Sequence, residues 1–178
     1  SDDYPSNVDT NGRVTIGGSI TGEIEQGSDI DWISVYLEDG LTYQFDLEGS
    51  STSKGTLSDP YLRLYNPYTT LISLDDSNGV EDNPRIVYRA EQTGTYHLDL
   101  RSQNVNQTGT YTLSASEWLD DYSADTSTSG SVNVGSSITG ELESHWSTTL
   151  SPVGWDKDWF AINLIQGESY QFDLEGSS

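Results

Sequence analysis

The chain has 178 residues, 33% of them apolar, and its 29 Asp and Glu outnumber 7 Lys and Arg for a formal net charge of -22. That charge repels phosphate backbones and anionic lipid, so nucleic acid and membrane insertion are excluded from the expected partners. The absence of cysteine excludes disulfides and leaves a hard metal ion such as calcium as the expected staple. No signal peptide opens the sequence, so we expect a mature fragment of a longer protein.

Short runs of alternating apolar and polar residues predict β-strands. In chain order they are Trp32–Leu37, Tyr43–Leu47, Tyr61–Tyr65, Ile86–Tyr88, Tyr96–Leu100 and Tyr111–Leu113. Gly, Asn, Asp or Pro separates the runs, and no window shows the period of a helix. The fold class predicted is therefore all-β, a jelly-roll-like antiparallel β-sandwich. Glu23, Glu25, Asp46 and Glu48 are interpreted as the solvated polar faces of such strands.

The sequence contains one full repeat and half of another. Residues 2–25, DDYPSNVDTNGRVTIGGSITGEIE, return as residues 120–143, DDYSADTSTSGSVNVGSSITGELE. Residues 29–51 return as residues 156–178, after an insertion that contains His145, Trp146, Pro152 and Trp155. We therefore predict a complete sandwich over 1–117 and the amino-terminal half of a second one over 118–178.

Half a sandwich exposes an apolar face and open sheet edges, so it needs a complement. In one arrangement 1–117 form the domain and 118–178 pair with another chain. In a second arrangement 52–117 combine with 118–178 as a permuted domain and leave 1–51 without a partner. A third alternative is that the sequence ends within a domain. The expected partners are thus other domains of the same large polypeptide and a second copy that associates through the half repeat.

Five segments occur in the order of a known family. They are D-x-D-W-[IF] at Asp29, L-x-x-G-x-x-Y-x-F-D-L-E-G at Leu37, S-D-P-Y-L-R-L-Y at Ser58, D-D-S-N-G at Asp75, and the closing T-G-T-Y-x-L and G-T-Y-T-L-S strands. This order resembles the bacterial pre-peptidase C-terminal domain, in the variant of secreted RTX-type proteases and large calcium-dependent adhesins. The resemblance implies a β-sandwich at the cell surface or outside the cell, accessory to a larger protein, non-catalytic and often calcium-bound.

Two acidic groups are candidate calcium sites. The first is the turn with Asp75, Asp76, Asn78 and Asp82, which Asp59 would complete. Calcium prefers six to eight oxygen ligands, and closely spaced Asp and Asn side chains with turn carbonyls supply them. The alternative is a solvated turn rich in Asp and Asn without a metal.

The second group is Asp29 and Asp31, joined by Asp2 and Asp3, and its equivalents in the half repeat are Asp156 and Asp158. Alternate residues of a strand point to one side, where two carboxylates repel each other and favour a shared cation. A turn kept soluble by its acids explains the pattern equally well.

Aromatic residues suggest an alternative function, the binding of carbohydrate or peptide. Trp146 and Trp155 lie in the insertion, outside any strand pattern, and would need cover from a ligand, a partner or each other. Tyr61, Tyr65 and Tyr68 are interpreted as ordinary strand and turn residues.

Catalytic machinery is not visible in the sequence. It has two histidines, no cysteine, and neither a G-x-S-x-G nor an H-E-x-x-H motif. His97 is predicted to be a surface residue on the strand face opposite the core. We expect a calcium-stabilised module without enzymatic activity, secreted or on the bacterial cell surface.

Overall fold

A computed structural model describes residues 2–119, 121–142 and 157–176. They fall into two units, residues 2–119 and, separately, residues 121–142 with 157–176. The first unit holds eight strands and a short 3-10 helix, Val80–Asp82. The strands are β1 (Gly18–Ile24), β2 (Ile30–Leu37), β3 (Thr42–Glu48), β4 (Pro60–Tyr65), β5 (Leu71–Asp75), β6 (Arg85–Arg89), β7 (Gly94–Ser102) and β8 (Gly109–Glu117). In the part of the chain just given, no helix is long and apolar enough to cross a bilayer.

The eight strands form two four-stranded sheets, in the orders β1-β8-β3-β6 and β2-β7-β4-β5. The six ladders that join neighbouring strands within these sheets are all antiparallel. The predicted fold class, an all-β antiparallel sandwich, is confirmed. Each predicted run lies within one of β2, β3, β4, β6, β7 and β8.

The core lies between the two sheets and follows from the two-residue period of the strands. In β3, for example, Tyr43, Phe45 and Leu47 are buried while the residues between them are partly exposed. Phe45 and Leu47 are 0% exposed, and burying such a side chain contributes about 1.5–3 kcal/mol. The alternation is therefore both the sequence signal and the main source of stability.

Strands β1 and β5 are not among the predicted runs. In β1, Gly22 stands between Ile20 and Ile24 and interrupts the apolar alternation. The glycine is needed because the ring of Tyr111 packs against it, and an added Cβ would lie 2.2 Å from the Tyr111 hydroxyl oxygen. A contact between residues so distant in sequence leaves no local signal.

His97 lies on the sheet face that the sequence predicts, but it isn't a surface residue. Its side chain is 7% exposed, and burial lowers its pKa. Strand β7 runs between β2 and β4, and each neighbour contributes an aromatic ring to this face. The ring of Trp32 lies 5.5 Å from that of His97 and stacks on Tyr65 at 5.1 Å. Aromatic cover from both neighbouring strands makes the prediction of exposure wrong.

The second unit has little regular structure over its described residues. An isolated parallel bridge joins Ser131 to Ala161, and no strand is assigned within 121–142 or 157–176.

Candidate metal centre

The turn between β1 and β2 orients the carboxylate of Asp29. The backbone N–H of Glu25 donates to Asp29 Oδ2 at 3.0 Å, and the N–H of Ile30 donates to Asp29 Oδ1 at 2.9 Å. The Asp29 N–H in turn donates to the Gln26 carbonyl at 3.1 Å. These bonds close the turn tightly and hold the acid at the start of β2.

Asp31 lies on the core face of β2, in line with Ile33 and Val35, and is 0% exposed. The hydroxyl of Tyr111, on β8 of the other sheet, donates to Asp31 Oδ2 at 2.6 Å. Asp31 Oδ1 is buried and has no hydrogen-bond partner. A buried carboxylate oxygen without a donor is costly, so this atom calls for a proton or a cation.

The segment before β1 brings two more acids to the same place. The N–H of Glu23 donates to Asp3 Oδ2 at 3.1 Å, and the hydroxyl of Tyr4 donates to the Thr21 carbonyl at 3.0 Å. Both bonds fasten the segment along β1. Asp3 Oδ1, like Asp31 Oδ1, is buried without a hydrogen-bond partner.

Five carboxylates thereby converge into what we call the acid cluster: Asp2, Asp3, Glu25, Asp29 and Asp31. In each of two groups, Asp2 with Asp3 and Glu25 and Asp2 with Asp29 and Asp31, one oxygen per residue lies within 4.8 Å of the others. Two oxygens on opposite sides of a calcium ion at about 2.4 Å are also separated by about 4.8 Å. All five side chains offer hard oxygen ligands, and two of their buried oxygens receive no hydrogen bond. Both features fit a calcium ion.

Burial, and after it repulsion between neighbouring carboxylates, raises the pKa values of Asp3, Glu25 and Asp31. Burial raises the pKa of Asp31 to about 8, and the charges of Asp3, Asp29 and Glu25 add to the rise that the Tyr111 hydrogen bond opposes. Burial also raises the pKa of Asp3. For Glu25 the rise in pKa comes from desolvation first and then from Asp29. Without a cation the cluster therefore retains a proton at neutral pH, and a divalent cation would displace it.

The acidic turn after β5 is organised differently. Asp75 is 1% exposed, and its Oδ2 accepts from the N–H groups of Ser77 at 3.2 Å, Asn78 at 2.9 Å and Arg85 at 2.8 Å. The Asn78 side-chain amide donates to Asp75 Oδ1. Asp75 is thus a structural acceptor that closes the turn.

The other members of this predicted site are not brought together as a group of acids. Neither three-acid group found among the described residues includes Asp59, Asp75, Asp76 or Asp82. Asp76 accepts from the Ser77 hydroxyl at 3.1 Å. The calcium site predicted at this turn thus remains a prediction, and its hydrogen bonds match the alternative of a turn closed by its own Asp and Asn.

In the half repeat, part of the equivalent cluster is described. The N–H of Glu141 donates to Asp121 Oδ2 at 3.1 Å, as Glu23 does to Asp3. Asp158, the equivalent of Asp31, is partly buried. Asp156 lies outside the described residues.

The three tyrosines interpreted as ordinary strand and turn residues, Tyr61, Tyr65 and Tyr68, do not form an exposed strip, since Tyr61 and Tyr65 are half-buried. Tyr65 stacks on Trp32, and Tyr61 receives the Arg63 guanidinium 5.0 Å from its ring centre. Tyr68 is 75% exposed. Trp146 and Trp155 lie outside the described residues.

Sequence reasoning missed Glu25 and Tyr111 as participants. Glu25 was interpreted as a solvated strand residue, but β1 ends at Ile24, and the turn that follows directs its carboxylate toward Asp2 and Asp3. The only sequence signal is that Glu25 recurs as Glu143. Tyr111 lies 80 residues from Asp31 and is brought close because β8 pairs with β1.

Comparison with solved structures finds bacterial proteins at low sequence identity. The pre-peptidase C-terminal domain of a collagenase from Bacillus anthracis is 17% identical, with a TM-score of 0.44, over 58% of this chain and 92% of that one. PliG of Aeromonas hydrophila, a periplasmic inhibitor of g-type lysozyme, is 14% identical with a TM-score of 0.44, over 60% and 98%. CorA, a surface-associated copper-binding protein of Methylomicrobium album BG8, is 8% identical with a TM-score of 0.44, over 60% and 98%.

No protein-family model matches the chain, and no curated protein matches it. The family that the sequence resembles is the family of the first of these structures, the collagenase domain.

Proposed function

We propose that this chain is a non-catalytic accessory module of a larger secreted or surface-exposed bacterial protein, stabilised by calcium at the acid cluster. The observation that carries the proposal is Asp31, which is 0% exposed and has one carboxylate oxygen without a hydrogen-bond donor. Asp2 and Asp29 each place an oxygen within 4.8 Å of a carboxylate oxygen of Asp31. Two positive charges at this point would offset the repulsion and supply the missing partner.

The cluster joins three separate parts of the chain. Asp2 and Asp3 belong to the segment before β1, Glu25 and Asp29 to the β1–β2 turn, and Asp31 to β2. At an effective dielectric constant of 20, two carboxylates about 4.8 Å apart repel each other by about 3 kcal/mol. A shared calcium reverses the sign of that contribution and fastens the segment to the sandwich. The module would then be looser in a calcium-poor cytosol and locked after export.

Three features support the absence of catalysis and the role as an accessory. The sequence has no cysteine, and His97, the histidine that the structure describes, is covered by Trp32. The five-segment resemblance to the pre-peptidase C-terminal domain supports an accessory role beside other domains of a large polypeptide.

Thermal unfolding with calcium and with a chelator tests the proposal. At a calcium concentration 100 times the Kd, binding to the folded state alone adds about 2.7 kcal/mol, or roughly 10 °C in Tm for a domain of this size. Magnesium at equal concentration should have a smaller effect, because it demands a stricter octahedral shell. Sodium at equal ionic strength controls for screening.

A pair of variants makes the test specific. Asp31→Asn keeps an oxygen for the Tyr111 hydroxyl but removes the negative charge that calcium would bind, so the Tm of this variant should rise with calcium by at most about half as much as that of the wild-type chain. Asp9→Asn removes one charge from an exposed position and should keep the full response. An equal calcium response in both variants would sink the assignment to the acid cluster.

A further inference from the structure

The outer faces of the two sheets in the first unit differ in composition. On β1, β3 and β8 the side chains that alternate with the core positions are mostly Ser, Thr and acids, as is usual for a solvated face. On β2, β4 and β7 the same alternation presents aromatic rings, two arginines and a buried acid. We call these side chains the aromatic face: Trp32, Tyr61, Arg63, Tyr65, His97, Asp99 and Arg101.

Asp99 lies at the centre of the aromatic face, opposite Trp32 on β2 and Arg63 on β4. It is 0% exposed, although it alternates with core residues of β7 and points away from the core. The Nε of Arg101 donates to Asp99 Oδ1 at 2.7 Å, and a terminal nitrogen of the same guanidinium donates to Oδ2. Such a two-point pair fixes the plane of the guanidinium. A carboxylate on an outer face is normally in contact with water, so the surrounding side chains form a closed layer over it.

Two polar atoms of this layer are buried without compensation. His97 Nδ1 and Arg63 Nε have no hydrogen-bond partner in the part of the chain that the structure describes. A buried polar atom without a partner costs about 1–3 kcal/mol. The sandwich does not need this arrangement for its core, which lies on the other side of the sheet. A costly layer that excludes water on an outer face therefore indicates a binding surface.

Contacts between neighbouring side chains hold the aromatic face in place before a ligand arrives. Trp32 packs on Tyr65 with ring centres 5.1 Å apart, and the guanidinium of Arg63 lies over the ring of Tyr61, 5.0 Å from its centre. Trp32, Tyr61 and Tyr65 remain partly exposed, so part of each side chain is accessible to a ligand. Immobilising a free side chain on binding costs about 0.5–1.5 kcal/mol, and rings that are already fixed avoid most of that cost.

Charge restricts the kind of ligand that this face can bind. Arg63 and Arg101 outnumber the one acid, Asp99, so the aromatic face is locally positive in a chain of net charge -22. The two arginines disfavour a cationic ligand, and the field of the whole chain disfavours an anionic polymer. An uncharged ligand meets neither barrier.

Hydrogen bonding restricts the ligand further. Strand β7 lies between β2 and β4, and β4 lies between β7 and β5, so the middle of the face has no free strand edge to which an extended peptide could add. Recognition must therefore use side chains. A sugar matches those present, since its C–H face packs on an aromatic ring and its hydroxyls pair with polar groups. Tyr61 and Tyr65 lie four residues apart on β4, about 13 Å along the strand, with Arg63 between them.

We propose that the aromatic face binds an uncharged saccharide chain. Sugar rings pack on Tyr61 and Tyr65, and Arg63 between them donates to hydroxyl oxygens. Trp32 extends the binding surface toward β2. Saccharide binding at this face is independent of calcium, because Asp31 of the acid cluster lies on the core side of β2.

Isothermal titration calorimetry of the whole chain tests this proposal. The uncharged probes are cellohexaose, chitohexaose and maltohexaose. Hexagalacturonate serves as a carboxylated saccharide, and decaproline represents a protein partner. We expect at least one uncharged probe to bind with a Kd of about 1 mM or less, both in calcium and in chelator at a temperature well below the Tm. Hexagalacturonate and decaproline should bind at least about tenfold more weakly than that probe.

Two pairs of variants provide matched controls. Tyr61→Ala should weaken binding of the uncharged probe at least about tenfold, whereas Tyr68→Ala, at a position that is 75% exposed and outside the aromatic face, should leave the Kd unchanged. Arg63→Gln should weaken binding at least about threefold. Arg89→Gln removes the same charge from β6 of the other sheet and should have no effect. Thermal melts check that each variant is folded before titration.

Three results would overturn the proposal. The first is the absence of binding by all three uncharged probes at about 10 mM. The second is an equal effect of the two substitutions within either pair, which would place the binding site outside the aromatic face. The third is tighter binding of hexagalacturonate or decaproline than of any uncharged probe, which would assign the face to a carboxylated polymer or to a protein partner.

Discussion

Two acidic regions of the first unit have similar composition and opposite physical character. At the turn after β5, the buried carboxylate of Asp75 accepts three backbone N–H bonds and one side-chain amide bond. In the acid cluster, Asp3 and Asp31 each keep a buried oxygen without a donor. The chain itself supplies hydrogen-bond donors to the buried oxygens of the first region, and it leaves two buried oxygens of the second region without a donor.

The difference teaches that acid density alone does not identify a cation site. What matters is whether the chain supplies hydrogen-bond donors to the buried oxygens. Strand β6 begins next to Asp75, so the N–H of Arg85 reaches it, whereas Asp31 faces the acids of two other segments. The predictions below test this contrast, from the largest expected effect to the smallest.

Asp75→Ala should cost about 3–5 kcal/mol of unfolding free energy, with or without calcium. The substitution leaves three N–H groups without their acceptor, and each buried donor without a partner costs about 1–3 kcal/mol, with overlap between them. Urea denaturation in calcium and in chelator measures it. Asp75→Asn, which keeps one acceptor oxygen, should cost less. If Asp75→Ala lowered the free energy of unfolding only in the presence of calcium, Asp75 would be a calcium ligand and not only a structural hydrogen-bond acceptor.

Stability without calcium should fall as the pH rises from about 4 to about 8. The folded state holds the proton of Asp31 more tightly than the unfolded state, because the pKa is raised to about 8. Between the unfolded and folded pKa values the native state therefore binds more protons, and the free energy of unfolding decreases with pH. We expect a loss of about 2 kcal/mol, below the upper bound of about 6 kcal/mol from the pKa shift, because exposed Asp2 admits water and salt.

Urea denaturation across this pH range in chelator checks the loss. Calcium should flatten the profile, and Asp31→Asn should flatten it without calcium. A free energy of unfolding that rises with pH over this range in chelator would contradict a pKa of Asp31 that is higher in the folded than in the unfolded state.

Tyr111→Phe should cost about 1.5 kcal/mol in chelator at a pH above 8, where Asp31 is ionised and the substitution removes a hydrogen bond to a charged group. That bond lowers the pKa of Asp31, so the midpoint of the pH-dependent loss should move upward. Tyr96→Phe is the matched control, because its hydroxyl donates to the neutral Gln92 carbonyl at 3.0 Å. The control should cost about 1 kcal/mol and leave the midpoint in place. If the midpoint of the pH-dependent loss were equal in both variants, the hydroxyl of Tyr111 would have no effect on the pKa of Asp31.

Asp76→Asn should change stability by less than about 0.5 kcal/mol, with an unchanged calcium response. Its exposed carboxylate accepts from the neighbouring Ser77 hydroxyl, which an amide oxygen can replace. Parallel thermal melts of this variant and the wild-type chain suffice. If the Tm of this variant no longer responded to calcium, the turn after β5 would be a calcium site.

The sequence predicts features that are encoded locally. Alternation in Tyr43–Leu47 and Tyr96–Leu100 predicts β3 and β7, and the recurrence of Asp29 and Asp31 in the second copy indicates a shared role for them. Three features depend on distant pairing and were not predictable. The first is Gly22, which interrupts the alternation of β1 where the ring of Tyr111 packs. The second is His97, which Trp32 and Tyr65 cover. The third is the orientation of the Glu25 carboxylate toward Asp2 and Asp3.

The most direct test of the central claim is calorimetric titration of calcium into the wild-type chain, Asp31→Asn and Asp75→Asn at pH 7. We predict binding to the wild-type chain with release of protons, because the acid cluster holds a proton that calcium displaces. Asp31→Asn should weaken binding at least about tenfold and release fewer protons, while Asp75→Asn should bind as the wild-type chain does. Unaltered binding in Asp31→Asn, together with lost binding in Asp75→Asn, would contradict the account and assign the calcium site to the turn.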